Sequence, residues 1–226
     1  LDGKGEAERV SPAGMAGQHS YQISADPKYA IHSFENAVTP KRISLISLGT
    51  HQEIKLLEDN SQLKSRISEL GLRPKEFFKG HPGEVDLGGR MNKPIQFDPQ
   101  KKYPVIFHVY GEPAGSTVQD NWSTGDNMWH QYLANELGVV VVSIDNRGTK
   151  VPRGRSFRKC IYRQIGLLAA DDQVAAAKKT MMQFPFIDTA HVGMWGWSGG
   201  GQMTLHGLFR HGDVFKTGIA VSFVAL

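Results

Sequence analysis

The sequence predicts an α/β fold in which helices cover a parallel sheet, preceded by a group of short antiparallel strands. From Tyr103 onward, short runs that are apolar at every position alternate with segments of helical periodicity. Strands that are apolar on both faces are typical of a parallel sheet with helices on either side. Before residue 60, short aromatic and β-branched runs are separated by turn residues, which indicates antiparallel strands.

Composition excludes several classes of protein. The chain has 226 residues and a formal net charge of +4, but its Lys and Arg residues are scattered among acidic ones. The densest basic group, Arg147–Lys159, is broken by Gly, Pro and Ser, so it predicts a solvated loop and no nucleic-acid partner. The single cysteine, Cys160, excludes an internal disulfide, and no His or Cys spacing typical of a metal site occurs. No apolar run is long enough to span a membrane.

Residues 1–60 are predicted to be the last strands of a larger β domain. Three strands are expected, and they are Tyr21–Ser24, Tyr29–Phe34 and Arg42–Ser47. This pattern is typical of a β-meander or of one propeller blade. Since a single blade exposes its strand edges and cannot close a ring, most of such a domain would lie outside these residues.

Residues 61–102 are interpreted as the junction between two domains and the start of the second. They contain a short amphipathic stretch, Leu63–Leu70, followed by Phe77-Phe78. Glycine and proline then interrupt the pattern at Gly80–Gly83 and at Gly88-Gly89, which indicates turns. The second domain is therefore predicted to occupy residues 103–226.

The second domain is predicted to contain four neighbouring parallel strands. They are Val105–Val109, Val139–Ile144, Val192–Trp197 and Thr217–Ser222. A helix precedes the second strand, because Trp129, Leu133 and Leu137 share a helical face that Gly138 terminates. Another helix covers about Leu167–Gln183.

Both ends of the sequence look interrupted. The opening turn, Leu1–Gly5, follows no recognisable element, and the apolar run Thr217–Leu226 stops without a turn or a cap. An uncapped apolar strand would form an exposed sheet edge. The sequence is therefore expected to be a fragment of a longer protein, cut at both ends.

The segment Gly196-Trp197-Ser198-Gly199-Gly200 suggests a nucleophile. It directly follows a predicted strand, and functional side chains of a parallel sheet lie at the carboxyl ends of its strands. A serine on a tight strand-to-helix turn needs small residues two positions before and two after it, and glycine fills both positions here. The N–H of Gly199 would then point from the helix N-terminus toward an oxyanion beside Ser198. The motif alone leaves a plain glycine-rich turn open as the alternative.

Three segments together carry a resemblance to a known family. They are Tyr103–Pro113 (YPVIFHVYGEP), Ser143–Gly148 (SIDNRG) and Gly196–Gly200 (GWSGG). In this order and spacing they resemble the prolyl oligopeptidase family of serine peptidases, and within it the dipeptidyl peptidase IV branch. The resemblance implies that residues 1–60 are the last strands of a β-propeller. It also implies that the residues from 75 onward form the first part of an α/β-hydrolase domain.

The resemblance implies a serine peptidase site. It makes Ser198 the nucleophile, and it makes the Gly199 amide and the Tyr110 hydroxyl the two oxyanion donors. It also places Val224 in the small apolar pocket for proline or alanine before the cleaved bond, and Trp197 against the substrate. The alternatives are that Tyr110 only packs on the sheet at its strand end and that Val224 is an ordinary core valine.

The leading hypothesis is a serine exopeptidase that releases N-terminal dipeptides, X-Pro or X-Ala, through an acyl-enzyme on Ser198. The resemblance implies peptide or oligopeptide substrates, no cofactor, an extracytoplasmic location (periplasmic or secreted) and a homodimer as one state open to the full-length protein. The alternatives are a non-catalytic interaction module with the same fold and a carboxylesterase. A downstream Asp and His would favour an enzyme over the module, and the propeller-like first sixty residues argue against the carboxylesterase.

The sequence departs from the family pattern in three ways. Gly199 stands where the branch usually has tyrosine, which removes an aromatic wall of the proline pocket. Glu112 stands where the family loop commonly has glycine, and its carboxylate is unfavourable near an oxyanion unless it points to solvent or to a substrate amine. The family's acid and histidine follow the elbow by tens of residues, so both are expected beyond Leu226.

No histidine of the sequence is expected to be the catalytic base. His206 and His211 lie on or just after the helix that follows Ser198, and its axis runs away from the hydroxyl. His108 is predicted to alternate to the opposite face of its strand. The 226-residue chain alone is therefore expected to be essentially inactive as a peptidase.

Three aspartates near the predicted loops are expected to have structural roles and no catalytic one. Asp171-Asp172 are expected to be carboxylates on a helix surface. Asp145 is expected to lie in a loop and to pair with Arg147, which would hold that loop in place.

Overall fold

A computed structural model describes residues 9–80, 85–122 and 124–223 of the chain. Within these ranges the chain divides into two units. The first contains the residues up to Leu72 together with Asp120–Thr124, and the second contains Arg73–Gln119 and the residues from Gly125 onward.

The first unit contains an antiparallel sheet of four strands in the order β1-β2-β3-β4. The strands are β1 (Gln18–Ile23), β2 (Tyr29–Asn36), β3 (Thr39–Ser47) and β4 (Glu53–Glu58), and helix α1 (Ser61–Glu69) follows them. The three predicted strands are confirmed. The sequence does not predict β4, because all of its residues are exposed and it lacks the apolar alternation of a half-buried strand.

Alternate residues of β2 build the buried side of the first unit. Ala30, His32 and Phe34 are buried, whereas the residues between them are more exposed. Ile46 of β3 pairs with Ala30 and is only 1% exposed. This period-two burial is the physical reason why the sequence signal for β2 is clear.

The second unit contains a six-stranded sheet in the order β10-β9-β7-β8-β6-β5. The strands are β5 (Glu76–Gly80), β6 (Leu87–Asn92), β7 (Tyr103–His108), β8 (Val140–Ile144), β9 (Ile187–Trp197) and β10 (Thr217–Val221). β10, β9, β7 and β8 are parallel neighbours, which confirms the prediction. β6 pairs antiparallel with β8, and β5 pairs antiparallel with β6. Both strands lie within residues 61–102, where the sequence indicates turns at Gly80–Gly83 and at Gly88-Gly89 and no strand.

Helices cover both faces of this sheet. They are α2 (Thr124–Leu137), α3 (Gly154–Lys159), α4 (Leu167–Gln183) and α5 (Gly199–Arg210). The main core joins residues of α4 and α5, such as Ala176 and Met203, to Phe107 of β7. Leu133 of α2 packs with Val141 in a second, smaller core. The two predicted helices are confirmed.

The end of α2 shows why the sequence predicts the helix to stop at Gly138. Gly138 follows its last residue, Leu137, with a φ of 63°, which is the left-handed conformation that glycine adopts most easily. Across the described ranges, no helix combines the length and the apolar character that crossing a bilayer requires.

Candidate active site

Ser198 lies on the turn between β9 and α5, where a nucleophile elbow is predicted. Its φ of 56° and ψ of −119° form a conformation that residues with a side chain rarely adopt. Two backbone hydrogen bonds hold it there. Ser198 N–H donates to the Val221 carbonyl at 2.9 Å, and the Gln202 N–H donates to the Ser198 carbonyl at 3.1 Å. The strained serine is thus fixed by the neighbouring strand and by its own helix.

The glycines on either side of Ser198 are required by close backbone packing. A Cβ atom at Gly196 would lie 2.5 Å from the Val109 carbonyl oxygen, and one at Gly200 would lie 3.1 Å from the Val109 carbonyl carbon and closer still to its oxygen. Since these neighbours are backbone atoms, they have little room to give way. The structure therefore shows the close backbone contact for which the sequence analysis requires glycine at both positions.

A cavity of about 360 Å³ opens beside Ser198. Its lining consists of His108, Val109, Tyr110, Gly115, Ser116, Thr117, Trp195, Trp197 and Ser198. Three of the predicted site residues, Tyr110, Trp197 and Ser198, therefore meet at one cavity. Gly199 follows Ser198 directly and is buried. Val224 lies outside the described residues.

Tyr110 directly faces the candidate nucleophile's cavity from the end of the first parallel strand. Its ring passes over Gly115, where a Cβ atom would lie 3.1 Å from a ring carbon. Burial, followed by the negative charge of Glu112 and a hydrogen bond with it, raises the pKa of the Tyr110 hydroxyl above its usual value. The hydroxyl therefore stays protonated near neutral pH, as a neutral hydrogen-bond donor must.

His108 lies on the same side of its strand as Tyr110, so the prediction that it faces the opposite side is wrong. Residues two apart on a strand share a face, and both of these line the cavity. The Nδ1 of His108 lies 3.3 Å from the Ser143 hydroxyl. Burial, with a smaller effect of Arg90, lowers the pKa of His108 to about 3. The imidazole is therefore neutral and a weak base at neutral pH.

Asp145 holds part of the cavity wall. Its buried carboxylate accepts hydrogen bonds from the Thr117 N–H at 2.7 Å, the Thr117 hydroxyl at 3.0 Å and the Val118 N–H at 3.1 Å. Burial raises the pKa of Asp145, although these hydrogen bonds act in the opposite direction. The sequence places Asp145 in a loop but does not reveal these partners, because they lie in another loop.

Asn146 is a further buried residue that the sequence analysis misses. Its side-chain amide donates to the Gly111 carbonyl at 3.1 Å, and its own oxygen accepts from Gln173 of α4 at 3.0 Å. Gly111 follows Tyr110 in the chain. The two amide side chains therefore connect α4 to the loop that carries the Tyr110 hydroxyl.

Arg147 pairs with Asp172, and the predicted pairing with Asp145 is wrong. The guanidinium donates to the Asp172 carboxylate from Nη2 at 2.6 Å and from Nε at 3.0 Å, and the Arg147 N–H donates to it at 2.9 Å. Asp172 is 5% exposed, so it is not a surface carboxylate. The hydrogen bonding to Asp172 raises the pKa of Arg147. The segment predicted as a solvated loop also contains α3.

Replacing Asp172 by alanine is expected to lower the free energy of unfolding by about 3 kcal/mol, because a partly buried guanidinium would lose its charged partner. The midpoint of urea unfolding measures the change. Asp171→Ala is the matched control, since its neighbouring carboxylate is exposed, and it should cost less than about 0.5 kcal/mol. Equal midpoints for the two variants would contradict the structural role of Asp172.

No group of three His, Cys, Asp or Glu residues within the described ranges is arranged to hold a metal ion. The chemistry that the site can perform with its own groups is that of a positioned hydroxyl with nearby hydrogen-bond donors. Ser198 supplies the hydroxyl, and the Gly199 amide and the Tyr110 hydroxyl are the candidate donors.

Comparison with known proteins finds peptidases among the relatives. The model of the prolyl oligopeptidase family matches residues 125–226. The chain is 36% identical over 176 residues to the prolyl endopeptidase FAP of Bos taurus. These residues are 78% of this chain and 22% of that protein. The chain is also 32% identical over 224 residues to a probable dipeptidyl-aminopeptidase B of Emericella nidulans. That alignment covers 98% of this chain and 24% of the relative.

A solved structure is also similar. The dipeptidyl peptidase 4 of Porphyromonas gingivalis superposes with a TM-score of 0.86 and 39% sequence identity, over 92% of this chain and 29% of that one. The chain spans about a quarter of the length of the curated relatives it matches.

Proposed function

Because the chain belongs to the prolyl oligopeptidase family of serine peptidases, in its dipeptidyl peptidase IV-like branch, we propose that the whole protein releases dipeptides from the N-termini of peptides. The observation that carries the proposal is the strained Ser198 at the end of a parallel strand, with Tyr110 lining the same cavity. The names of the relatives support the dipeptide product.

The proposed reaction is acyl transfer in two steps. The Ser198 oxygen attacks the carbonyl carbon of the peptide bond after the second residue and loses its proton to a general base. As the tetrahedral intermediate collapses, the protonated base gives its proton to the leaving amine and the bond to that amine breaks, so that the dipeptide remains as an ester on Ser198. Water then attacks the ester, which releases the dipeptide and restores the hydroxyl.

The two candidate oxyanion donors act in both steps. As the carbonyl becomes tetrahedral, its oxygen gains negative charge. The N–H of Gly199, at the N-terminus of α5, and the hydroxyl of Tyr110 would donate to that oxygen. Donors held in place by the fold need no reorganisation during the reaction, which is why they lower the barrier.

The proposal extends to the substrate pocket and to its preference for the residue before the cleaved bond. Trp197 is 60% exposed beside Ser198, so it can contact a bound peptide. The family resemblance puts Val224 in the pocket for the residue before the cleaved bond and favours proline or alanine there. Gly199 lacks the aromatic side chain that the family resemblance puts in the wall of that pocket, and the Glu112 carboxyl group lies where a Cβ atom at position 199 would be. A homodimer and an extracytoplasmic location remain predictions from the resemblance.

The proposal is tested on the whole protein with Gly-Pro and Ala-Ala p-nitroanilides, beside a p-nitrophenyl ester and a fluorophosphonate probe. Hydrolysis of the amides, with labelling of Ser198, is expected. Hydrolysis of the ester alone would support a carboxylesterase. If neither substrate turns over and Ser198 is not labelled, the site is a non-catalytic module.

Replacing Tyr110 by phenylalanine is expected to lower kcat by about 10²- to 10³-fold, since one oxyanion donor is lost. KM should change little, because the hydrogen bond forms in the transition state. Steady-state kinetics on the preferred amide measure both. Tyr162→Phe, at a tyrosine that is 70% exposed, is the control and should keep the parent rate. A normal kcat for Tyr110→Phe would leave Tyr110 with a packing role only.

A further inference from the structure

A buried amide side chain is hydrogen-bonded to the loop that follows Tyr110. Asn146 is 0% exposed, and its Nδ2 donates to the Gly111 carbonyl at 3.1 Å and to the Arg147 carbonyl at 2.7 Å. Its oxygen accepts a hydrogen bond from the Gln173 Nε2 at 3.0 Å. Carbonyl oxygens can only accept, so the two carbonyl groups require the N–H side of the amide. The orientation of the Asn146 side chain is therefore fixed by its partners.

Helix α4 holds the other side of this amide. Gln173 is 2% exposed, and its Nε2 donates at 2.7 Å to the Ile144 carbonyl, at the end of β8, as well as to Asn146. These two bonds use both donors of the Gln173 amide. Since α4 packs into the main core, the position of Asn146 is set by a helix and a strand as well as by its own loop.

The turn at Gly111 connects Asn146 to the Tyr110 backbone. Gly111 has a φ of 82°, the left-handed conformation that favours glycine, and it turns the chain directly after Tyr110. A Cβ atom at Gly111 would lie 2.6 Å from the Met203 Cγ, so α5 packs closely against the turn. The turn is thus held between Met203 and the Asn146 amide. Its position fixes the backbone from which the Tyr110 side chain projects.

The loop after β8 also fixes the surface under the Tyr110 ring. The ring packs on Gly115, and the Gly115 carbonyl accepts a hydrogen bond from the Lys150 N–H at 3.1 Å. Two residues further along, the Thr117 N–H and hydroxyl donate to Asp145. The loop after β8 therefore holds the Tyr110 loop on both sides of the ring.

We propose that Asn146 is a positioning residue for the Tyr110 hydroxyl, and that Gln173 supports it from α4. By holding the Gly111 turn, Asn146 keeps the hydroxyl at the cavity that Ser198 lines, where it can donate to the developing oxyanion. Displacement of a reacting group by about 1 Å can cost about 100-fold in rate, even when the altered residue lies away from the reaction. This catalytic consequence rests on the proposed function, whereas the hydrogen bonds that hold the loop do not.

The kinetic test compares each variant of the whole protein with and without the Tyr110 hydroxyl. Asn146→Ala is expected to lower kcat about 10- to 100-fold and to leave KM within about twofold, because the side chain does not line the cavity. In the Tyr110→Phe background the same change should cost less than about twofold, since the hydroxyl that it positions is already absent. A parent-like kcat for Asn146→Ala, or losses that multiply in the double variant, would overturn the proposal.

Gln173→Met tests the same connection if Asn146→Ala does not fold. It keeps the length of the side chain, removes its donors and is expected to lower kcat about three- to tenfold, again only where the Tyr110 hydroxyl is present. An equal loss in the Tyr110→Phe background would contradict the positioning role. Asn135→Ala is the matched control and should keep the parent kcat. Asn135 likewise ties a helix to a loop, since it accepts from the Ile95 N–H at 2.7 Å, but neither residue lines the cavity.

Hydrogen exchange separates this inference from the proposed function. In the whole protein, exchange measured by mass spectrometry in the peptide that carries Tyr110–Gly115 should be several-fold faster in Asn146→Ala and unchanged in Asn135→Ala. Unchanged exchange in Asn146→Ala would show that the amide does not hold the loop, which overturns the proposal. If the parent hydrolyses no amide and a fluorophosphonate does not label Ser198, the proposed function fails, and the exchange experiment still decides whether Asn146 holds the loop.

Discussion

The Ser198→Ala variant of the whole protein is expected to hydrolyse its preferred dipeptidyl amide about six orders of magnitude more slowly than the parent. Removal of the nucleophile costs this much in other serine peptidases, where only the oxyanion donors and substrate binding remain. Here the effect should be as large, because the elbow backbone presents one hydroxyl at the cavity next to Tyr110. Single-turnover and steady-state assays measure the loss.

The substrate should still bind to this variant. Alanine removes one oxygen atom and leaves the cavity wall in place, so an inhibition constant for a slowly cleaved peptide should stay within a few-fold of the parent KM. Ser156→Ala, on the exposed surface of α3, is the matched control and should keep both the rate and fluorophosphonate labelling. Retained labelling in Ser198→Ala would show that another residue is the nucleophile.

Residues 1–226 expressed alone are expected to hydrolyse the same amide about six orders of magnitude more slowly than the whole protein. Attack by a serine requires a base that takes the hydroxyl proton, and loss of the base costs as much as loss of the nucleophile. The described histidine that lines the Ser198 cavity is His108, whose pKa of about 3 makes it a poor proton acceptor at neutral pH.

A comparison of three samples checks this prediction. The chain alone, the chain with Ser198→Ala and the whole protein are assayed together, and circular dichroism establishes that the chain is folded. The two short samples should show the same residual rate. Turnover by the unmodified chain at even a hundredth of the rate of the whole protein would show that the base lies within residues 1–226.

The elbow was predictable because its requirements are local. Gly196 and Gly200 are needed where strand and helix backbones touch, and both residues lie within two positions of Ser198. The parallel strands were predictable for a similar reason. The central strand β8 is buried at every residue, so it must be apolar at nearly every position, whereas β10 has no buried residue and is recognised by its apolar run alone.

The antiparallel strands β5 and β6 were not predictable from their own residues. Gly88-Gly89 indicates a turn by itself, since glycine disfavours strands. In the sheet, Gly89 pairs with Phe78 of β5, and a Cβ atom there would overlap the Phe78 ring. Glycine is present because an aromatic ring from the neighbouring strand covers it. Only the pairing of the two strands reveals that reason.

The sequence by itself determined the architecture of the parallel sheet, the position of Ser198 on its turn and the family to which the chain belongs. Periodicity and glycine spacing depend on neighbours along the chain, so they can be read from it. The tertiary structure decided which side chains meet: Arg147 with Asp172, Asp145 with Thr117, and Glu112 with Gly199. All three contacts join residues 25 or more positions apart in the chain. Their partners are set by how the loops converge at one edge of the sheet, where hydrogen bonding and burial, not local preference, select the pair.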